Sequence, residues 1–253
     1  MTLPTEKLYT WQRGTDVPFR TRVSMGKVVD ARPVFIFGFN PDVQNVEETI
    51  WDHGGVYAYP ASATTMTISS SDATTNAVVS IVGLGAGYVE QTELITLNGQ
   101  TPVTTAKSYL RINGMSALSG TIADSIYLGT GTVTAGVPAT VYARIINGNN
   151  RTEAGIYTVP AGYELYFDHG TVSHGSDSSN AFITARLMYR LPGLLFQTGT
   201  KVTLNNIFIH FPFEYPLLLP AGSDIETRGI CSKQQLNAVA TSFQGLLVKT
   251  EIF

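Results

Sequence analysis

The side chains best suited to chemistry are gathered in one short stretch. Asp168, His169, His174 and Asp177 fall within ten residues of one another, and imidazole with carboxylate suits zinc and other divalent ions. Structural zinc sites use closer, paired spacings and often thiolates, and neither pattern is present. The intervening Gly170-Thr171-Val172-Ser173 and Gly175-Ser176 read as an exposed polar loop, so no metal is expected there. Asp168 and Asp177 are also the carboxylates that a glycan hydrolase would enlist, but such a pair is defined by its separation in space.

Other reactive groups stand alone. Cys231 is the single cysteine, which excludes an intrachain disulfide. With no histidine nearby in sequence, it reads as a small buried residue and not as a nucleophile. His53 follows Asp52, but adjacent side chains in an extended segment point apart, a poor geometry for a proton relay. His210 sits in an apolar strand pattern and reads as a core residue. Gly83-Leu84-Gly85-Ala86-Gly87 resembles half of a dinucleotide-binding turn. Tyr88 occupies the place of the third glycine, and strand sequence follows where a helix is needed, so a turn or bulge is expected. There is no Gly-x-Ser-x-Gly elbow and no paired-cysteine spacing. No catalytic residue, cofactor or metal ligand is nominated, and the chain reads as non-enzymatic.

Whatever site exists must be carried on β-strands. Charged residues form 14% of the 253 residues, against about 25% in an average soluble domain. Hydrophobic residues at 43% with a net charge of −3 exclude a disordered chain. No apolar run approaches the roughly 18 residues of a membrane-spanning helix, and scattered Lys and Arg argue against nucleic-acid binding. Residues 53–150 hold seven of the 35 charges and 24 Ser or Thr, as a sheet with a neutral polar face requires. Strand patterns recur at Thr65–Ile68, Ala77–Val82, Glu93–Leu97, Val141–Ile146, Tyr163–Phe167, Ile183–Leu191, Val202–Phe211 and Phe243–Thr250. Asn98-Gly99 is a hairpin signal, and Asn147-Gly148-Asn149-Asn150 is a second turn of this kind. Short helices are expected at Asn45–Asp52 and Ser232–Val239 only. Pro160-Ala161-Gly162 and Pro220-Ala221-Gly222 both join strand to strand, which implies two similar corners of one sandwich.

The N-terminal stretch differs in kind. Residues 1–52 carry 13 of the 35 charges; Met1–Phe19 has Pro4 and Pro18 and no sustained alternation, and Pro33 and Pro41 bracket the apolar Val34–Phe39. They read as an extended arm and lead-in, and residues 53–253 as the β-sandwich, with room for two packed β subdomains. Met1–Arg20 lacks the layout of a secretory signal. Trp11, Arg13, Phe19, Arg20 and Arg22 of the arm are expected to bind a partner, together with Trp51, Tyr57 and Tyr59 of the aromatic cluster at Trp51–Tyr59. A second cluster, Phe208–Tyr215, belongs to core or subunit interface on the same reasoning.

Three segments resemble structural proteins of tailed bacteriophages: Glu48 to Pro60 (ETIWDHGGVYAYP), Glu93 to Thr105 (ELITLNGQTPVTT) and Leu110-Arg111-Ile112-Asn113. The resemblance spans roughly residues 45–170 and implies a β-sandwich subunit of the virion, assembled in the host cytoplasm. The resulting expectation is an all-β, jelly-roll-like β-sandwich with an extended N-terminal arm. It would serve as a capsid decoration or cement subunit, binding the major capsid protein and copies of itself, as a homotrimer. A fibre, neck or tail component is the alternative, and a carbohydrate-binding module is a third reading.

Overall fold

The structure is a computed structural model that describes residues 17–178, 180–234 and 236–250; Trp11 and Arg13 lie outside them. Helix α1 (Phe19–Ser24) leads into β1 (Ala31–Asn40). Then come β2 (Glu48–Thr49), β3 (Thr67–Ser70), β4 (Val78–Leu84), β5 (Glu90–Thr96), β6 (Val103–Thr104), β7 (Arg111–Ser119), β8 (Ile126–Thr134) and β9 (Val137–Ile145). The chain continues through β10 (Ile156–Thr158), β11 (Tyr163–Ser176), β12 (Ile183–Arg190), β13 (Gln197–Leu204), β14 (Phe208–Leu219), β15 (Asp224–Cys231) and β16 (Asn237–Lys249).

Eight of these strands make one sandwich. Its first sheet runs β1-β16-β11-β14, and its second runs β10-β15-β12-β13 with β2 added beside β15. Counted along the sandwich, the first strand pairs with the eighth (β1 with β16) and the second with the seventh (β10 with β15). The third pairs with the sixth (β11 with β14) and the fourth with the fifth (β12 with β13), all antiparallel. Such nested pairing is a long antiparallel ribbon rolled onto itself, which is a jelly roll. The all-β, jelly-roll-like sandwich expected from the sequence is therefore the fold.

Alternation decides which side chains fill it. Leu165, Phe167, Leu187, Leu219, Ile225, Phe243 and Leu247 point inward from both sheets and form one half of the core. Val172, Ile183, Ala185, Leu204, Cys231 and Val239 form the other half. The two Pro-Ala-Gly segments are the corners where the chain crosses between sheets, from β10 to β11 and from β14 to β15. Tyr163 N–H donates to Pro160 O and Ser223 N–H to Pro220 O, closing the two turns, and both Gly162 and Gly222 sit at φ +77°. The corners also bond to each other, Gly222 N–H donating to Val159 O at 2.8 Å.

Between β1 and β10 the chain inserts a second β unit. Sheet β6-β3-β8-β9 faces sheet β5-β4-β7 across a core that includes Met66, Ile68, Ile81, Tyr109, Met115, Ile126 and Ile145. Asn98-Gly99 makes the hairpin turn expected of it, with Thr101 N–H donating to Asn98 O. Gly83 and Leu84 end β4, and Gly85–Val89 forms the connection to β5, closed by Tyr88 N–H on Gly85 O.

Several expectations give way. Residues 31–40, assigned by charge to the arm, are β1 of the sandwich. The segment Asn45–Asp52 is not a helix: Glu48 and Thr49 extend the sheet beside Gly229 and Arg228. Ser232–Val239 is not a helix either: residues 232–234 bend and β16 begins at Asn237, whose side-chain amide donates to Val43 O and Lys233 O. The helix that does form, α1, has six residues, too few to show a 3.6-residue period. Asp168, His169 and His174 lie on the 14-residue strand β11, not in a loop, because the glycines between them sit at pleat positions of a paired strand.

Candidate functional site: the junction and the outer sheet face

The inserted unit is held to the jelly roll by buried charge. Asp224 on β15, 1% exposed, accepts Arg111 Nε at 2.8 Å and Arg111 Nη2 at 3.2 Å from β7 of the insert. Arg190 Nε at 3.0 Å and Thr158 Oγ1 at 2.6 Å complete its shell. Two residues on, Glu226 is fully buried and accepts from Thr49, Tyr59 and Arg228. Glu47 then takes Arg186 and Arg228. Asp224, Glu226 and Arg228 share one face of β15 because strand side chains alternate. The guanidinium of Arg190 lies 4.7 Å from the Tyr59 ring and 4.5 Å from Phe196, and that of Arg111 lies 5.0 Å from Tyr59.

Trp51 and Tyr57 are part of this junction. Both are buried, with Trp51 packed edge-on to Tyr57 at 5.1 Å and Tyr57 to Tyr59 at 4.8 Å. The indole N–H of Trp51 donates to Gly54 O and Gly55 O. Burial pushes the Tyr57 and Tyr59 hydroxyls well above their usual range. The expected partner-binding role of Trp51, Tyr57 and Tyr59 is thus replaced by an internal one: their surfaces are spent on joining two units of the same chain. Asp52 is also buried here and its carboxyl is pushed up to about 7 by burial; Oδ2 accepts only a long bond (3.3 Å) from Glu153 N–H. His53, in the turn that follows, stays exposed, its ring 5.1 Å from Trp51.

Of the other expected residues, Phe19, Arg20 and Arg22 belong to helix α1, which lies beside the outer face of the β1-β16-β11-β14 sheet. Helix α1 rests on that face, where Arg20 pairs with Asp168 at 2.9 Å and Phe19 is half exposed. Between α1, the sheet and Pro216 runs an apolar groove of about 430 Å³, floored by Tyr166 and Leu246. Phe35, which lines it, stands exposed, as do Phe208, Tyr215 and Leu218 along β14. Alternation could have identified Phe35 and Leu218 as outward residues of strands, since each adjoins a buried neighbour, Val34 and Leu219. His210 belongs to this face as well, its ring 5.3 Å from His169. It is not the core residue expected, because Ile209 and Phe211 take the inward positions on β14.

The four candidate metal ligands do not converge. Asp168 and His169 bond to each other on the outer face, while His174 is buried and held by Asn206 N–H and Asn237. Among the described residues no group of three or more His, Cys, Asp or Glu could hold a metal. Cys231 is buried, and burial pushes its thiol up to about 11. No helix among the described residues is long and apolar enough to cross a membrane.

No family model and no curated protein matches the chain. Among solved structures, it is similar to infectious bursal disease virus, Gx strain, at 9% identity and a TM-score of 0.26, over 88% of this chain and 73% of that one. The VP2 subviral particle of the same virus follows at 8% identity and 0.23, over 87% and 72%. A Bacillus thuringiensis Cry1Da tryptic core variant gives 11% and 0.20, over 84% and 53%. None reaches the similarity at which two chains share a fold.

Proposed function

We propose that this chain is a non-enzymatic structural subunit of a virus particle. The observation that carries the reading is the complete nested pairing of eight strands, an architecture used by capsid subunits and also by lectins and cupins. Against a ligand-binding jelly roll stands the filled interior: the void beside Phe167 and Phe243 amounts to about 10 Å³, about the room of one water. The resemblance of residues 45–170 to tailed-phage structural proteins supports the same class. Within it, that resemblance favours a decoration or cement subunit seated on a major capsid protein. The inserted unit, fastened by buried charge, favours a second reading in which the chain itself forms shell and projection.

Purified protein mixed with undecorated capsids, and protein alone, are to be imaged by electron microscopy with native mass recorded in parallel. Saturable binding to capsids identifies decoration; closed shells from protein alone identify a shell subunit. A chain that does neither, or that binds a defined glycan on an array, overturns the proposal.

A further inference from the structure

Apart from helix α1, no described residue covers the outer face of the β1-β16-β11-β14 sheet, and its shape and charge fit a second copy of itself. We infer that two copies meet through the outer face of the β1-β16-β11-β14 sheet; this rests on the structural-subunit reading and specifies one contact within it. The strands are 10 to 14 residues long. At about 3.3 Å per residue and about 4.8 Å between strands, the four-stranded face covers roughly 600–900 Å². A standard interface takes about 800 Å² from each partner. Strand addition at the β14 edge is discouraged, since Pro212 and Pro216 lack the N–H a new strand would need. Face-to-face contact remains.

The face is also self-complementary. Residues 213–216 bulge from β14 opposite Asp168, and Tyr215 within the bulge is 81% exposed. Pro33, Leu246, Tyr166 and Leu218 lie at one level across the four strands, and Phe35, Gln244, His169 and Pro212 at the next. Tyr215 falls between these levels, which is where the groove beside α1 lies. A two-fold axis in the plane of the contact and parallel to the strands keeps each level and exchanges the margins. It therefore carries Tyr215 of one copy into the groove of the other. The same rotation brings Glu214 towards Arg20, whose side chain keeps 71% exposure even while paired with Asp168.

Sedimentation equilibrium of the full chain across concentration tests this. The native chain is expected to associate, and Tyr215→Asp and Phe35→Asp are each expected to weaken association about tenfold or more, as loss of a central aromatic contact does. Both residues are exposed, so far-UV circular dichroism should be unchanged, and either variant suffices if the other misfolds. Leu195→Asp, at the exposed tip between β12 and β13, is expected to leave association intact. A native chain monomeric at every concentration overturns the inference, as does association lost with Leu195→Asp but kept with Tyr215→Asp. A monomeric chain that associates once residues 2–16 are deleted shows that its own N-terminal segment covers the face, and overturns it too. Particle binding or shell formation unaffected by Tyr215→Asp refutes this contact while leaving the structural-subunit reading in place.

Discussion

Arg111→Ala is the substitution that most directly separates the two β units. Arg111 is 7% exposed and gives Asp224 two bonds, donates to Pro60 O at 3.0 Å and Leu110 O at 2.8 Å, and stacks on Tyr59. Removing it leaves the Asp224 carboxylate buried with Arg190 and Thr158 as its remaining partners, and two carbonyls lose their donor. Breaking one side of a buried ion pair costs about 3–5 kcal/mol. The low end applies here because Arg190 still neutralises Asp224. At a urea slope of about 3 kcal/mol/M, the midpoint should fall by about 1–1.5 M. The assay is urea unfolding followed by the fluorescence of Trp51, which sits in the junction, alongside far-UV circular dichroism. The control is Lys249→Ala, whose 3.7 Å pair with Asp30 is more than half exposed on both sides. Exposed pairs contribute about 0–1 kcal/mol. A loss of less than 1 kcal/mol for Arg111→Ala, or an equal loss for the control, would refute the view that buried charge joins the units.

Three further outcomes are expected. Because burial raises the Asp52 carboxyl to about 7 while the unfolded group titrates near 3.9, the native state holds a proton that the unfolded state has released. Stability should therefore fall as pH rises from about 4 to about 7 and level off above; Asp52→Asn should flatten that slope in thermal melts, and an unchanged slope counts against it. His174, which burial lowers, acts in the opposite sense in the same range, losing stability as pH falls, so the comparison must be with the Asn variant and not with a flat line. Gly38→Ala should cost about 1–3 kcal/mol or more, since its Cβ would stand 2.3 Å from Gly155 N and 2.5 Å from Ile50 O where β1 meets the chain returning from the insert; a soluble variant with native midpoint would contradict this. Cys231 should resist thiol reagents at pH 8 until the protein is unfolded, and rapid labelling of the native chain would show that β15 opens.

Much of the jelly roll could be read from local pattern. The alternation of Leu165 and Phe167, of Ile183, Ala185 and Leu187, and of Phe243 and Leu247 placed strands where strands are, because a pleat puts every second side chain in the core. The repeated Pro-Ala-Gly marked both crossings between sheets, since proline and glycine preset the turn wherever it occurs. Charge was the misleading signal. Its density in residues 31–52 suggested an arm, yet Arg32 pairs with Glu90, Glu47 with Arg186 and Arg228, and Glu48 with Asn40. These partners lie up to 181 residues away, and no local window shows them.

The sequence by itself determined that this chain is all-β, where most strands and turns fall, and that Cys231 is buried, because backbone preference and side-chain alternation are local properties. Only the tertiary structure decided that strands pair first with last, that Trp51 and Tyr57 serve a junction inside the chain, and that Phe35 and Phe208 share one sheet face. Those outcomes depend on which distant surfaces meet, and the free energy of burial is assigned only when they do.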